Sequence, residues 1–194
     1  MYCIKNIEER IRIPPTMFGS DIENAVLRIL REKFERRIYR DIGIILSVDN
    51  PSVLSKGVII PGDSGAYYTV GFDALTFLPA VNEVFNAEIK EVVEFGAFVS
   101  IGPLQGLLHV SQIGKDKFYY DKKNKTLVSK IAKKSLKKGD GVVVKVSTVS
   151  LKANTADTKV GLTMRPDGLG KPEWLEKVQQ QSKGKTKKAE GESS

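Results

Sequence analysis

Two runs decide the fold: Glu94-Phe95-Gly96-Ala97-Phe98-Val99 and, beginning at position 106, Gly106-Leu107-Leu108-His109-Val110-Ser111-Gln112. Both read as short strands, and successive side chains on a strand point to opposite faces. Phe98 and the chain's single histidine, His109, then fall side by side on neighbouring strands, with Phe95 at the edge. Flat, exposed rings are what a single-stranded nucleic acid needs for base stacking, at roughly 1–3 kcal/mol per base whatever the base. Taken alone, the same three side chains also fit an ordinary barrel, so the rest of the chain has to decide.

Working outward, residues 84–93, 97–101, 106–110, 141–149 and 159–164 give five candidate strands with glycine-marked corners. That pattern predicts a small closed barrel of the oligonucleotide-binding kind. Between the third and fourth strands, residues 114–138 hold ten lysines against two aspartates, a local charge equal to the net +8 of the whole chain. Residues 1–80 carry ten basic and ten acidic side chains, and residues 81–113 carry a charge of -3. The basic character is therefore a local phosphate-attracting patch. Lys115, Lys117, Lys122 and Lys123, interleaved with Tyr119, are candidate RNA contacts, as are Lys145, Lys159 and Arg165 on the late strands. A solvated loop is the competing reading of the lysine run. Residues 171–175 read as a helix start with Pro172 in its first turn, and the polar tail 179–194 is predicted to be disordered.

The first half has a different pattern. Ile4, Ile7, Ile11 and Ile13 mark a strand that Pro14-Pro15 must end. Ser20 with Glu23 forms a capping-box signature, and Ile22, Val26, Ile29, Leu30, Phe34 and Ile38 recur at helical spacing, predicting an amphipathic helix over residues 21–39. Strands are expected at 43–48 and 58–60, separated by a turn at 49–52, and again at 67–78. Pro61-Gly62-Asp63-Ser64-Gly65 predicts a tight turn with positive-φ positions available at both glycines. The expected fold class is α+β in two domains: a small α+β domain over residues 1–80, then a five-stranded β-barrel over 81–178 that carries the insertion 114–138.

Several function classes lack the residues they need. A chain of 194 residues with one cysteine, Cys3, and one histidine has no disulfide framework and no Cys/His zinc set. No nucleophile elbow surrounds His109, and Gly168-Leu169-Gly170-Lys171 has the wrong spacing for a phosphate loop. Glu91, Glu94 and Asp116 lack the paired spacing of a carboxylate-dependent hydrolase. No apolar run approaches the roughly 20 residues of a membrane span, and the amino terminus lacks a signal-peptide core. The expectation is a cytoplasmic protein with no catalytic residues, metal or cofactor, and no membrane partner.

Residues 82–165 resemble the S1 RNA-binding domain, whose stacking surface lies in the Phe-Gly-Ala-Phe and Gly-Leu-x-His-x-Ser runs, here Phe95, Phe98 and His109. An aspartate and an arginine usually complete that surface. Ser150 and Lys159 stand in their places, which removes an acceptor and replaces a bidentate fork with a point charge. The resemblance widens with Arg12-Ile13-Pro14-Pro15, Phe18-Gly19, Pro61-Gly62-Asp63, Ala66-Tyr67, Ile101-Gly102-Pro103-Leu104, Gly161-Leu162-Thr163-Met164-Arg165 and Glu173-Trp174. In that order these are similar to the E-prime stalk subunit of archaeal DNA-directed RNA polymerase, with departures at Arg36, Ser64 and Gln105, where glycine, glycine and aspartate are usual. The resemblance implies an amino-terminal domain built like a truncated ribonucleoprotein fold. It also implies docking on the RNA polymerase core through the tip formed by Pro61, Gly62, Asp63, Ser64 and Gly65, a heterodimer with the polymerase's F subunit, and a barrel that holds nascent single-stranded RNA. The alternative is a free-standing S1-domain factor in translation or RNA decay, since the barrel is widely reused.

Overall fold

The computed structural model describes residues 1–19, 21–129, 131, 133–152 and 158–174. These residues divide into two compact units, Met1–Pro79 with Leu151, Lys152 and Thr158, and Ala80–Ser150 with Lys159–Trp174.

In the first unit, β1 (Tyr2–Ile13) is followed by α1 (Ile22–Phe34), β2 (Ile38–Tyr39), β3 (Gly43–Val53), β4 (Val58–Ile59) and β5 (Ala66–Phe77). The sheet runs β1-β5-β3-β2, with β4 also paired to β5. β1 pairs with β5 along its whole length, from Tyr2↔Phe77 to Ile13↔Ala66. The helix buries Val26, Leu30 and Phe34 against Ile11, Ile13, Val48, Val70 and Phe72 of the sheet. Each such side chain contributes about 1.5–3 kcal/mol by leaving water.

Three local expectations need correcting. The helix stops at Phe34, not at residue 39. Arg36 turns into the left-handed region at φ +64, and its N–H donates to Ile45 O at 2.8 Å while the Ile45 N–H donates to Arg37 O at 3.0 Å. The chain is thereby drawn into β2, and Ile38, which fits the helical period, is buried on a strand instead. Arg36 thus holds a conformation that glycine adopts without cost. At the other end of the helix, Ser20 lies outside the described residues, and Asp21 caps by accepting from the Glu23 N–H at 3.3 Å.

The second correction concerns residues 49–52, which do not end a strand. β3 continues through them, passing from Asp49↔Asp73 to Ser52↔Gly71 with Asn50 and Pro51 bulged out. Asn50 takes φ +51 and its Nδ2 donates to Asp73 at 3.0 Å; a bulge is where a sheet tolerates proline's missing donor. The third concerns the turn at 61–65, where Gly62 has φ +89 but Gly65 has no positive φ. Gly65 answers a close approach: a Cβ there would stand 2.7 Å from Arg12 Nε.

The second unit contains β6 (Val84–Val93), β7 (Gly96–Ile101), β8 (Leu104–His109), β9 (Tyr119–Asp121), β10 (Thr126–Ser129), β11 (Lys134–Leu136), β12 (Gly141–Ser150) and β13 (Lys159–Thr163). Five of these close a barrel in the order β12-β13-β8-β7-β6, antiparallel except for β13 with β8. Ile89, Val99, Ile101, Leu108, Val144, Val146 and Leu162 fill its interior. Gly106 makes room for the filling, since a Cβ there would lie 2.6 Å from Leu162 Cδ1.

The lysine-rich insertion is folded. β11, β10 and β9 form their own three-stranded sheet over fully buried Leu127 and Leu136. The Phe118 ring sits 6.2 Å from that of Trp174, in the helical start at residues 172–174. Gly170 exchanges two backbone hydrogen bonds with Val143, at 2.8 and 2.9 Å. The tail at residues 179–194 lies outside the described residues.

Candidate nucleic-acid interface

Register fixes which side chains face outward. Glu91 on β6 pairs with Phe98 on β7, Phe98 with Leu107 on β8, Leu107 with Gly161 on β13, and Gly161 with Thr148 on β12. One row thus crosses all five strands. Ala97, Val99 and Leu108, on the alternate positions, are buried inside the barrel. Phe98 and Leu107 are half-buried, and His109 is exposed. Gly161 leaves a low point beside Leu107, where a Cβ would come 2.4 Å from Thr148 Oγ1.

Phe95, 49% exposed, meets Phe98 edge to face, with centroids 6.3 Å apart and planes at 87°. Gly96 lies directly opposite His109, and any Cβ at Gly96 would stand 2.3 Å from Leu108 O, so only glycine lets the two strands approach here. His109 caps the short 3-10 turn Val110–Gln112. Its Nδ1 accepts from the Ser111 N–H at 3.2 Å and lies 2.8 Å from the Ser111 hydroxyl. A backbone N–H only donates, so Nδ1 is an acceptor, and the ring proton belongs on Nε2. The ring is held at one end and offers a donor at the other.

Basic groups occupy further outward positions. Lys145 pairs with Thr163 on β13 and with Val84 on β6. Lys159 stands opposite Ser150, and alternation turns Lys159, Gly161 and Thr163 outward while Val160 and Leu162 are buried. Arg165, exposed just past β13, donates its N–H to Thr163 Oγ1 at 3.2 Å. The turn between β9 and β10 reaches the ring end of the face, because Lys122 Nζ lies 2.9 Å from Glu94 Oε1. That carboxylate raises the Lys122 pKa by hydrogen bonding and by its charge. Lys123 is exposed on the same turn.

Phe95, Phe98, His109 and Lys122 are thus gathered about β7 and β8, while Lys145 and Lys159 take outward positions on β12 and β13, at opposite ends of the pairing between those strands. Lys115 is drawn away to Asp167, at 3.0 Å, while Lys117 and Tyr119 are exposed at the entry to the insertion. Two contributors escaped the sequence reading. Leu107, in the apolar centre of the face, had its signal in the Gly-Leu-Leu-His alternation. Ser111, which orients His109, had its signal in the i, i+2 spacing. Asp116 lies 3.8 Å from Lys134. Among the described residues no group of three or more His, Cys, Asp or Glu is placed to hold a metal ion, and no helix is long and apolar enough to cross a membrane.

The tip in the first unit is braced by one carboxylate. Asp63 accepts from Arg12 Nε at 2.8 Å and from its Nη2, from the Gly65 N–H at 2.9 Å and from the Tyr67 hydroxyl at 2.8 Å. Arg12, then the Gly65 amide and Tyr67, hold the Asp63 carboxyl well below the usual carboxylate range. A carboxylate lowered in this way stabilises the fold above its unfolded value of about 3.9, and the contribution is lost as pH falls through the lower folded value. Asp63→Asn is therefore expected to lower the melting temperature at neutral pH and to narrow the gap from wild type in strong acid. Thermal melts across acidic pH check this, and an equal gap at every pH would refute it.

A sheet-and-helix module followed by an S1-type barrel defines the class. Residues 8–65 match the family model of the SHS2 domain found in the N terminus of Rpb7p/Rpc25p/MJ0397, and residues 78–160 match the S1 RNA binding domain. The chain is 34% identical over 175 residues to DNA-directed RNA polymerase subunit Rpo7 of Sulfolobus acidocaldarius, covering 90% of this chain and 95% of that one. It is 35% identical to the Saccharolobus solfataricus Rpo7 over 175 residues, covering 90% and 97%. DNA-directed RNA polymerase III subunit RPC8 of Saccharomyces cerevisiae is 29% identical over 101 residues, covering 52% of this chain and 48% of that one. The chain belongs to the Rpo7 family of DNA-directed RNA polymerase subunits.

Proposed function

We propose that this chain is a non-catalytic stalk subunit of a cytoplasmic DNA-directed RNA polymerase. It docks on the core through its first unit, pairs with the polymerase's F subunit through surfaces of both units, and binds nascent single-stranded RNA on its barrel. The observation that carries the RNA part is the outward placing of Phe95, Phe98 and His109 about β7 and β8 with the β9–β10 lysines beside them, supported by Lys145 and Lys159 on outward positions of β12 and β13. Rings supply stacking that tolerates any base, and cations hold the phosphates. With Ser150 and Lys159 in place of an acceptor and a fork, the face suits general RNA capture better than base reading.

The docking part draws support from family membership and from charge. Residues 1–80 balance at ten basic and ten acidic side chains, as suits a protein-facing module, and the tip 61–65 is kept in one shape by Asp63. Affinity purification of the tagged chain from its own cells, followed by mass spectrometry, is expected to recover the large polymerase subunits together with the F subunit. Recovery of ribosomal proteins without polymerase would favour the free-standing factor instead.

A further inference from the structure

Resting on that reading, and adding a control to the same site, we propose that Glu94 masks Lys122 in the RNA-free protein, and that Lys122 leaves Glu94 for an RNA phosphate when a base stacks on Phe95. Glu94 immediately precedes the exposed ring. Its Oε1 lies 2.9 Å from Lys122 Nζ, with the two side chains 65% and 80% exposed. An ion pair so open to water is weak, so it is readily traded for a phosphate.

Nor is the pair needed to hold the turn. β10 is paired on both sides, by β9 and β11; Leu127 and Leu136 are fully buried, and Phe118 packs on Trp174. The turn therefore stays beside Phe95 when Lys122 changes partner. Glu91, opposite Phe98 on β6, places a second carboxylate on the same margin. A polyanion is repelled from the β6 side unless a cation reaches over it, and Lys122 is positioned to do so.

The test uses the full-length chain and a fluorescent oligouridine titrated over a range of KCl concentrations. Lys122→Gln is expected to flatten the salt dependence by about 0.7 in slope, the loss of one phosphate contact. Glu94→Gln is expected to tighten binding roughly twofold to fivefold, the range of an exposed ion pair. In the Lys122→Gln background the gain from Glu94→Gln should vanish. If Glu94→Gln weakens binding or leaves it unchanged, or if its gain persists at full size without Lys122, masking is overturned while RNA binding stands. If wild type fails to bind oligouridine at low salt, the functional reading and this inference fall together.

Discussion

Lys171→Met is expected to destabilise the second unit by about 3–5 kcal/mol, the cost of leaving a buried charge without its partner. Lys171 Nζ lies 3.0 Å from Asp140 Oδ2, and the two side chains are only 11% and 8% exposed. The sole other side-chain acid paired with Lys171 among the described residues is Glu173, at 3.9 Å and 76% exposed. Methionine keeps the aliphatic stem, so the change removes charge and not packing. What remains is a buried Asp140 carboxylate with the Lys137 N–H as donor, at 2.8 Å. The neighbouring Gly170–Val143 hydrogen bonds and the Trp174 contacts with Phe118 and Lys134 then lose their anchor, so the insertion loosens along with the barrel. Replacing both partners by apolar residues removes the stranded charge and should restore most of the stability. Denaturant unfolding of the two variants measures this; a Lys171→Met midpoint equal to that of wild type would rule the account out.

That ion pair also shows where sequence reading stops. Lys171 and Asp140 are 31 positions apart among many other charged residues, and the Gly170–Val143 bridge brings them together. The barrel was legible because its signal is local: an apolar–polar alternation with glycines where strands crowd, as at Gly96 and Gly106. That Phe98 and His109 stand on adjacent strands was legible for the same reason, but their register was not: His109 lies opposite Gly96 and Phe98 opposite Leu107, so the two rings are diagonal and not side by side. Local signals failed where a tertiary partner outvoted them. Ile38 fits the helix period, yet Arg36 and Arg37 hydrogen-bond to Ile45 and end the helix first. Asn50-Pro51 reads as a turn, yet β5 continues to pair on either side of it. The insertion strands, of three, four and three residues, are too short to show a period. Its lysines mask the few apolar residues, Leu127 and Leu136, on which it folds.

Phe98→Ala and His109→Ala should each weaken binding of single-stranded RNA by about 1–3 kcal/mol, a loss of roughly fivefold to a hundredfold or more. Neither ring lies in the barrel interior, which Val99, Leu108 and Leu162 fill, so the barrel should remain folded in both variants. The two are not equivalent. Phe98 also supports Phe95 through the edge contact at 6.3 Å, so its removal frees a second stacking ring and should cost more. His109 is oriented from Ser111; Ser111→Ala should reproduce part of the His109→Ala loss without deleting a ring. The salt dependence separates stacking from charge. Ring removal lowers affinity equally at every KCl concentration and leaves the slope unchanged, because no phosphate contact is lost. Affinity unchanged in both variants would return these rings to the ordinary surface of a barrel. A changed slope would mean that His109 works as a cation on phosphate and not as a platform for a base.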